Sequence, residues 1–159
     1  MDQNQQQGPA NGVTPHLTVH DGRCREAIAF YERAFGAEQA MPPMSAGDMP
    51  KDGCAPNMPA DQRVMHAHLK INGGSVMMND AFPEFVDPAD QSSAQNPTAV
   101  TLHLQVDDAD RWFERATAAG ATVTMPLADM FWGDRYGQLK DPFGHSWSIG
   151  AAIKGAQAA

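Results

Sequence analysis

An internal repeat constrains this chain more than any single motif does. His16-Leu17-Thr18-Val19 is matched by His103-Leu104-Gln105-Val106, Ala29-Phe30-Tyr31-Glu32-Arg33-Ala34 by Arg111-Trp112-Phe113-Glu114-Arg115-Ala116, and Gly36-Ala37 by Gly120-Ala121. A strand-like alternation followed by a helical spacing of apolar residues therefore occurs twice, and each copy continues into segments able to add strands. The implied order is β-α-β-β-β, repeated. A chain of 159 residues has room for one domain with a core or for two fused half-sized modules, and the repeat selects the second.

Met1 to Gly12 is rich in Gln, Asn and Gly and reads as a disordered tail. The first module is expected over 13–80. Thr14 to Val19 alternates as a strand, and Arg25 to Phe35 places Ala27, Ile28, Tyr31, Ala34 and Phe35 at helical spacing, with Gly36 ending the helix. Met41 to Asp61 carries five prolines and two glycines, which predicts a long mobile loop. In Arg63 to Asn72, Met65, Ala67, Leu69 and Ile71 alternate with His66, His68 and Lys70. A turn is expected at Gly73-Gly74, then a short strand over Ser75 to Asn79. A polar linker over 81–97 leads to the second module, 98–153, and a tail at 154–159.

The last module closes on a hairpin. Asp141-Pro142-Phe143-Gly144 suits a type I turn, with Asp bonding the backbone at the first position, Pro fixing φ at the second and Gly at the fourth. After it, His145, Trp147 and Ile149 alternate with Ser146 and Ser148, so one strand face can pack while the other meets solvent or a ligand, and His20 and His145 read as loop or outer-face residues. Arg135 and Tyr136 precede the turn and are candidates to hold an anionic or aromatic ligand. The plainer alternative for Arg135 is an ion pair with Asp134 or Asp141.

Composition excludes several functions. A net charge of −8, with no basic patch, disfavours nucleic acid and anionic membranes as partners. No apolar run spans a bilayer and no secretory leader is evident, so a cytoplasmic protein is expected. Cys24 and Cys54 form no CxxC pair and are expected to be free, unreactive thiols. No phosphate loop, dinucleotide fingerprint, HExxH or GxSxG occurs.

The doubled β-α-β-β-β order, together with Trp132-Gly133-Asp134-Arg135-Tyr136-Gly137 and Asp141-Pro142-Phe143-Gly144-His145, resembles the vicinal oxygen chelate superfamily of glyoxalases, bleomycin-resistance proteins and extradiol dioxygenases. Pro15-His16-Leu17 and Cys24-Arg25-Glu26-Ala27-Ile28-Ala29-Phe30-Tyr31 are similar to the opening of its PhnB-like branch. The resemblance covers residues 14–153. It implies an α+β fold in which two curved sheets, an incomplete barrel, surround a cleft with helices outside. It also implies a homodimer and a small organic ligand in the cleft. The superfamily's metal positions fall on Thr14, Met78, Thr101 and Ser148, none of them a good ligand for a divalent ion, so no cofactor is expected there.

Leu17, Val19, Leu102, Leu104 and Val106 are expected to face the helices, which turns His16, Thr18, Thr101, His103 and Gln105 the other way. His66 and His68 share that sense on their own strand. The ligand-binding set is therefore His16, Thr18, His66, His68, His103, Gln105, Trp132, Arg135, Tyr136 and Ser148. Two alternatives stay open: a polar, metal-free cavity, or a divalent metal held by His16, His66, His68 and His103 in a lyase, isomerase or dioxygenase.

Overall fold

The computed structural model describes residues 11–48, 61–85 and 100–154. Its elements are β1 (His16–Val19), α1 (Cys24–Phe35), β2 (Glu38–Ser45), β3 (Val64–Ile71), β4 (Gly74–Asp80), β5 (Thr101–Gln105), α2 (Ala109–Ala119), β6 (Thr122–Asp129), β7 (Asp134–Lys140) and β8 (Ser146–Ala152). Two short 3-10 turns, Ala46–Asp48 and Pro83–Phe85, complete the set. The strands form two four-stranded sheets, β1-β4-β3-β2 and β5-β8-β7-β6. In each, the first strand runs parallel to the last and the other pairings are antiparallel. This is the doubled β-α-β-β-β order in an α+β fold.

Two compact units divide the described chain. The first holds the residues up to Ala29 together with Gly36–Ala81, and the second holds Phe30–Phe35 together with the residues from Phe82 onward. In the first, Leu17, Val19, Ala67, Leu69, Ile71, Val76 and Met78 are buried on one side of the sheet. The buried Asp80 carboxylate accepts hydrogen bonds from the Cys24 amide at 2.8 Å and the Val64 amide at 2.7 Å. It thereby satisfies a donor that the start of a helix leaves without an intrahelical partner.

In the second unit, Phe30, Tyr31 and Phe35 of α1 pack with Trp147 of β8 and Phe143 of the closing turn. The Phe35 and Trp147 rings lie 4.6 Å apart and the Tyr31 and Trp147 rings 5.4 Å apart. Asp141 is buried beneath them, accepting from Tyr31 Oη at 2.5 Å, Trp147 Nε1 at 2.8 Å and the amides of Phe143 and His145 at 2.9 Å each. The expected bond from the turn's Asp to its own backbone is therefore present, and the same carboxylate also fixes a helix. Burial pushes the Asp141 carboxyl up, but the hydrogen bonds from His145, Tyr31 and Trp147 outweigh it and hold the pKa below the ordinary value. His145, expected on an outer face or loop, lies in this turn with Nδ1 at 3.6 Å from Asp141 Oδ2. For α2, the Asp108 side chain accepts from the Arg111 amide as an N-cap.

Two local expectations need correction. Met41-Pro42-Pro43-Met44 is not loop: β2 carries it as a strand with breaks in register at Met41 and Met44. It lies at the sheet edge, where a proline's missing N–H deprives no neighbouring strand. The rest of the expected loop, 49–60, lies outside the described residues, as do the tails at 1–10 and 155–159 and 86–99 of the linker. The β3–β4 turn is centred on Asn72-Gly73, not Gly73-Gly74: Ile71 pairs with Gly74, and φ is 49° at Asn72 and 81° at Gly73. A two-residue loop with positive φ at both positions is the one that matches strand twist, and Asn-Gly supplies it.

Candidate functional site

Strand alternation gives each sheet one packed apolar face and one open, more polar face, on which Ser148 and His68 are themselves covered, at 2% and 3% exposure. In the second unit, Leu104, Leu139, Trp147 and Ile149 are buried on one side, while His103, Ser148, Gln138 and Tyr136 face the other. The register puts His103 opposite Ser148, and Ser148 opposite Gln138. Tyr136 lies two residues before Gln138 and so shares its side.

These side chains form one connected group. His103 Nδ1 lies 2.8 Å from Ser148 Oγ, and His103 Nε2 lies 2.9 Å from Gln105 Oε1. The Gln105 carbonyl only accepts, so Nε2 carries the proton and Nδ1 receives the Ser148 hydroxyl hydrogen. Gln138 Nε2 donates to Tyr136 Oη at 3.0 Å. The His103 and Tyr136 rings stack at 6.0 Å, Trp132 meets Tyr136 edge-on at 5.6 Å, and Phe131 meets Trp132 edge-on at 5.1 Å. Trp132 is 51% exposed and Phe131 98%. Gly150 makes room for the imidazole: a Cβ there would stand 3.1 Å from His103 Cε1 and 3.3 Å from Gln105 Oε1.

Of the sequence-derived candidates, His103, Gln105, Trp132, Tyr136 and Ser148 are thus brought together. Arg135 is not. Its guanidinium is held by Asp110 at 2.9 Å and Asp129 at 3.1 Å, on the side opposite Tyr136, and these hydrogen bonds raise its pKa further. The pairing expected with Asp134 or Asp141 is replaced by carboxylates from α2 and β6, neither adjacent in sequence. Gln138 and Gly150 were missed. Counting two residues along the strand from Tyr136 and from Ser148 would have found both.

His16, Thr18, His66 and His68 lie on the open side of the first sheet, whose rows read His16–Met77–His68–Met41. Thr18 Oγ1 and Asn79 Oδ1 are 3.4 Å apart. Met78, taken as a metal position, is fully buried on the opposite face, and Met77 occupies the open-side place equivalent to Ser148. Thr14 precedes β1, and Thr101 is exposed opposite Ser146.

The described residues do not fit a divalent metal. Among the described residues no group of three or more His, Cys, Asp or Glu side chains could hold an ion, and both ring nitrogens of His103 already have hydrogen-bond partners. Cys24 is buried and its thiol is pushed up to about 12, by desolvation first and then by Asp80. It is no nucleophile at neutral pH. Cys54 lies outside the described residues. Among the described residues, no helix is long and apolar enough to cross a membrane.

Residues 14–149 match the family model described as Glyoxalase/Bleomycin resistance protein/Dioxygenase superfamily. The chain belongs to this superfamily, that of the vicinal oxygen chelate proteins. It is 39% identical over 158 residues to the uncharacterized protein MT0910 of Mycobacterium tuberculosis, covering 95% of this chain and 84% of that protein. Protein YjdN of Escherichia coli is 34% identical over 144 residues, 86% of this chain and 92% of that one. Among solved structures, protein PA1353 from Pseudomonas aeruginosa matches with a TM-score of 0.69 and 27% identity over 90% of this chain and 98% of that one. The fosfomycin resistance protein FosX from Listeria monocytogenes shares the superfamily fold, with a TM-score of 0.60 at 17% identity over 92% of this chain and 96% of that one.

Proposed function

We propose that this superfamily member binds a small organic molecule on the open face of its second sheet, without the metal many of its relatives use. The observation that carries this is the His103 cluster. Its imidazole is held in one tautomer by Gln105 and Ser148, and its ring continues into Tyr136, Trp132 and Phe131.

Large aromatic side chains are ordinarily buried, so a connected series with an exposed end offers planar surface at little ordering cost. Beside it, the Gln138 amide and the Tyr136 hydroxyl supply polar groups. A planar, heteroaromatic ligand with polar substituents suits this pairing of stacking surface and hydrogen-bonding edge. Sequestration needs no more than this. The superfamily's name includes bleomycin resistance, which makes bleomycin a sensible first probe.

A thermal-shift screen of bleomycin and a panel of heteroaromatic compounds tests the proposal on the native chain and on a His103→Ala/Trp132→Ala variant. The expected result is at least one compound that raises Tm in the native chain and not in the variant. No stabilising compound, or stabilisation that survives in the variant, would refute it. Metal analysis after dialysis against a chelator tests the metal-free part: a tightly held stoichiometric ion whose removal lowers Tm would favour a histidine-based metalloenzyme instead.

A further inference from the structure

The open face of the first sheet carries a polar cluster of its own. The two-residue Asn72-Gly73 loop fixes the β3–β4 register, so Lys70 stands opposite Ser75 and His68 opposite Met77. Lys70 Nζ donates to Ser75 Oγ at 2.9 Å, and Ser75 Oγ lies 3.0 Å from His68 Nε2. We propose that Lys70, Ser75 and His68 form a receiving site for a small oxyanion, the carboxylate or phosphoryl group of an organic acid.

The ammonium of Lys70 keeps two N–H donors beyond the one given to Ser75, and the Ser75 hydroxyl can turn outward to donate. An anion seated between them gains charge-assisted hydrogen bonds. Local charge is favourable too. His68 is only 3% exposed, and its pKa is lowered first by that burial and then by the positive charges of Lys70 and His66. In a chain of net charge −8, the two positive charges of Lys70 and His66 are what favours an anion here, while burial disfavours charge of either sign.

Glu38 of β2 stands opposite Lys70 in register and is the carboxylate with which an incoming anion competes. Binding is therefore weak in the native chain. Removing that competitor strengthens it, which gives the proposal a test in the gain direction.

The experiment follows the side-chain 15N and 13C signals of His68 and Lys70 by NMR. Phosphate or acetate is titrated in, with sodium chloride at matched ionic strength as the reference. Saturable shifts of the His68 and Lys70 signals with either anion support the site, and the stronger of the two identifies its class. Lys70→Met, a change at an exposed residue, should weaken binding about tenfold or more, and Glu38→Gln should tighten it severalfold. The proposal is overturned if neither anion shifts these signals beyond the chloride reference, or if the His68 shifts persist unchanged in Lys70→Met. It stands apart from the ligand proposed for the second sheet, because Lys70→Met leaves the His103 cluster intact.

Discussion

Replacing Asp141 with Asn keeps the size of a buried side chain and removes half of its accepting capacity. Four donors converge on this carboxylate: the amides of Phe143 and His145 at Oδ1, and Tyr31 Oη and Trp147 Nε1 at Oδ2. An Asn side chain offers one oxygen and one NH2, so in either orientation two buried donors face another donor. If these are Tyr31 and Trp147, the tyrosine hydroxyl can rotate and accept, but the indole cannot. Each orphaned donor costs roughly 1–3 kcal/mol, so Asp141→Asn should lose about 2–4 kcal/mol of a total that for such domains is about 5–15 kcal/mol. Urea denaturation followed by tryptophan fluorescence and far-UV circular dichroism measures it. The same carboxylate sets an acid limit. Its folded pKa is held below the unfolded value of about 3.9, so its contribution is complete above that pH and drains away as pH falls through the folded value. The native chain should thus lose stability steeply below about pH 4, and the Asn variant less steeply. A loss under about 1 kcal/mol at pH 7 with an unchanged m-value would show that the bonds at Asp141 contribute little beyond what water gives the unfolded chain.

Gly137→Ala should cost about 1–3 kcal/mol in the same assay, because a Cβ there would lie 2.8 Å from Phe113 Cε2 and 3.0 Å from the Met125 carbonyl oxygen. Gly150→Ala should leave the fold in place but displace the His103 ring from Gln105. The Tm gain from any stabilising compound should fall with it, and an undiminished gain would remove His103 from the ligand site. In a Cys54→Ser background, Cys24 should resist an aromatic disulfide reagent at pH 8 in the native state and react once guanidinium unfolds the chain. Prompt native labelling would contradict its burial and raised pKa.

Much of the fold was legible because it rests on local periodicity. Leu17 and Val19 against His16 and Thr18, and Leu104 against His103 and Gln105, sort to opposite faces by alternation alone. The closing turn was legible from Asp141, Pro142 and Gly144. What escaped depends on partners distant in sequence. Nothing local links Tyr31 to Asp141 or Arg135 to Asp110. Pro42 and Pro43 argued for a loop, and only the edge position of β2 lets them sit in a strand. The candidate site was half legible: His103, Gln105, Tyr136 and Ser148 share a face as alternation requires. Arg135, adjacent to Tyr136, necessarily points the other way.

The central claim is that the His103 side of the second sheet receives a ligand. Residue-resolved NMR of the native chain, with the best-stabilising heteroaromatic compound added to saturation, tests it most directly. Predicted are shifts centred on the His103 ring nitrogens, the Trp132 indole N–H and the Gln138 side-chain amide, with α2 and the Asp110–Arg135–Asp129 group unchanged. Shifts centred on α2 or on that ion-pair group, with the His103 ring nitrogens unmoved, would contradict it.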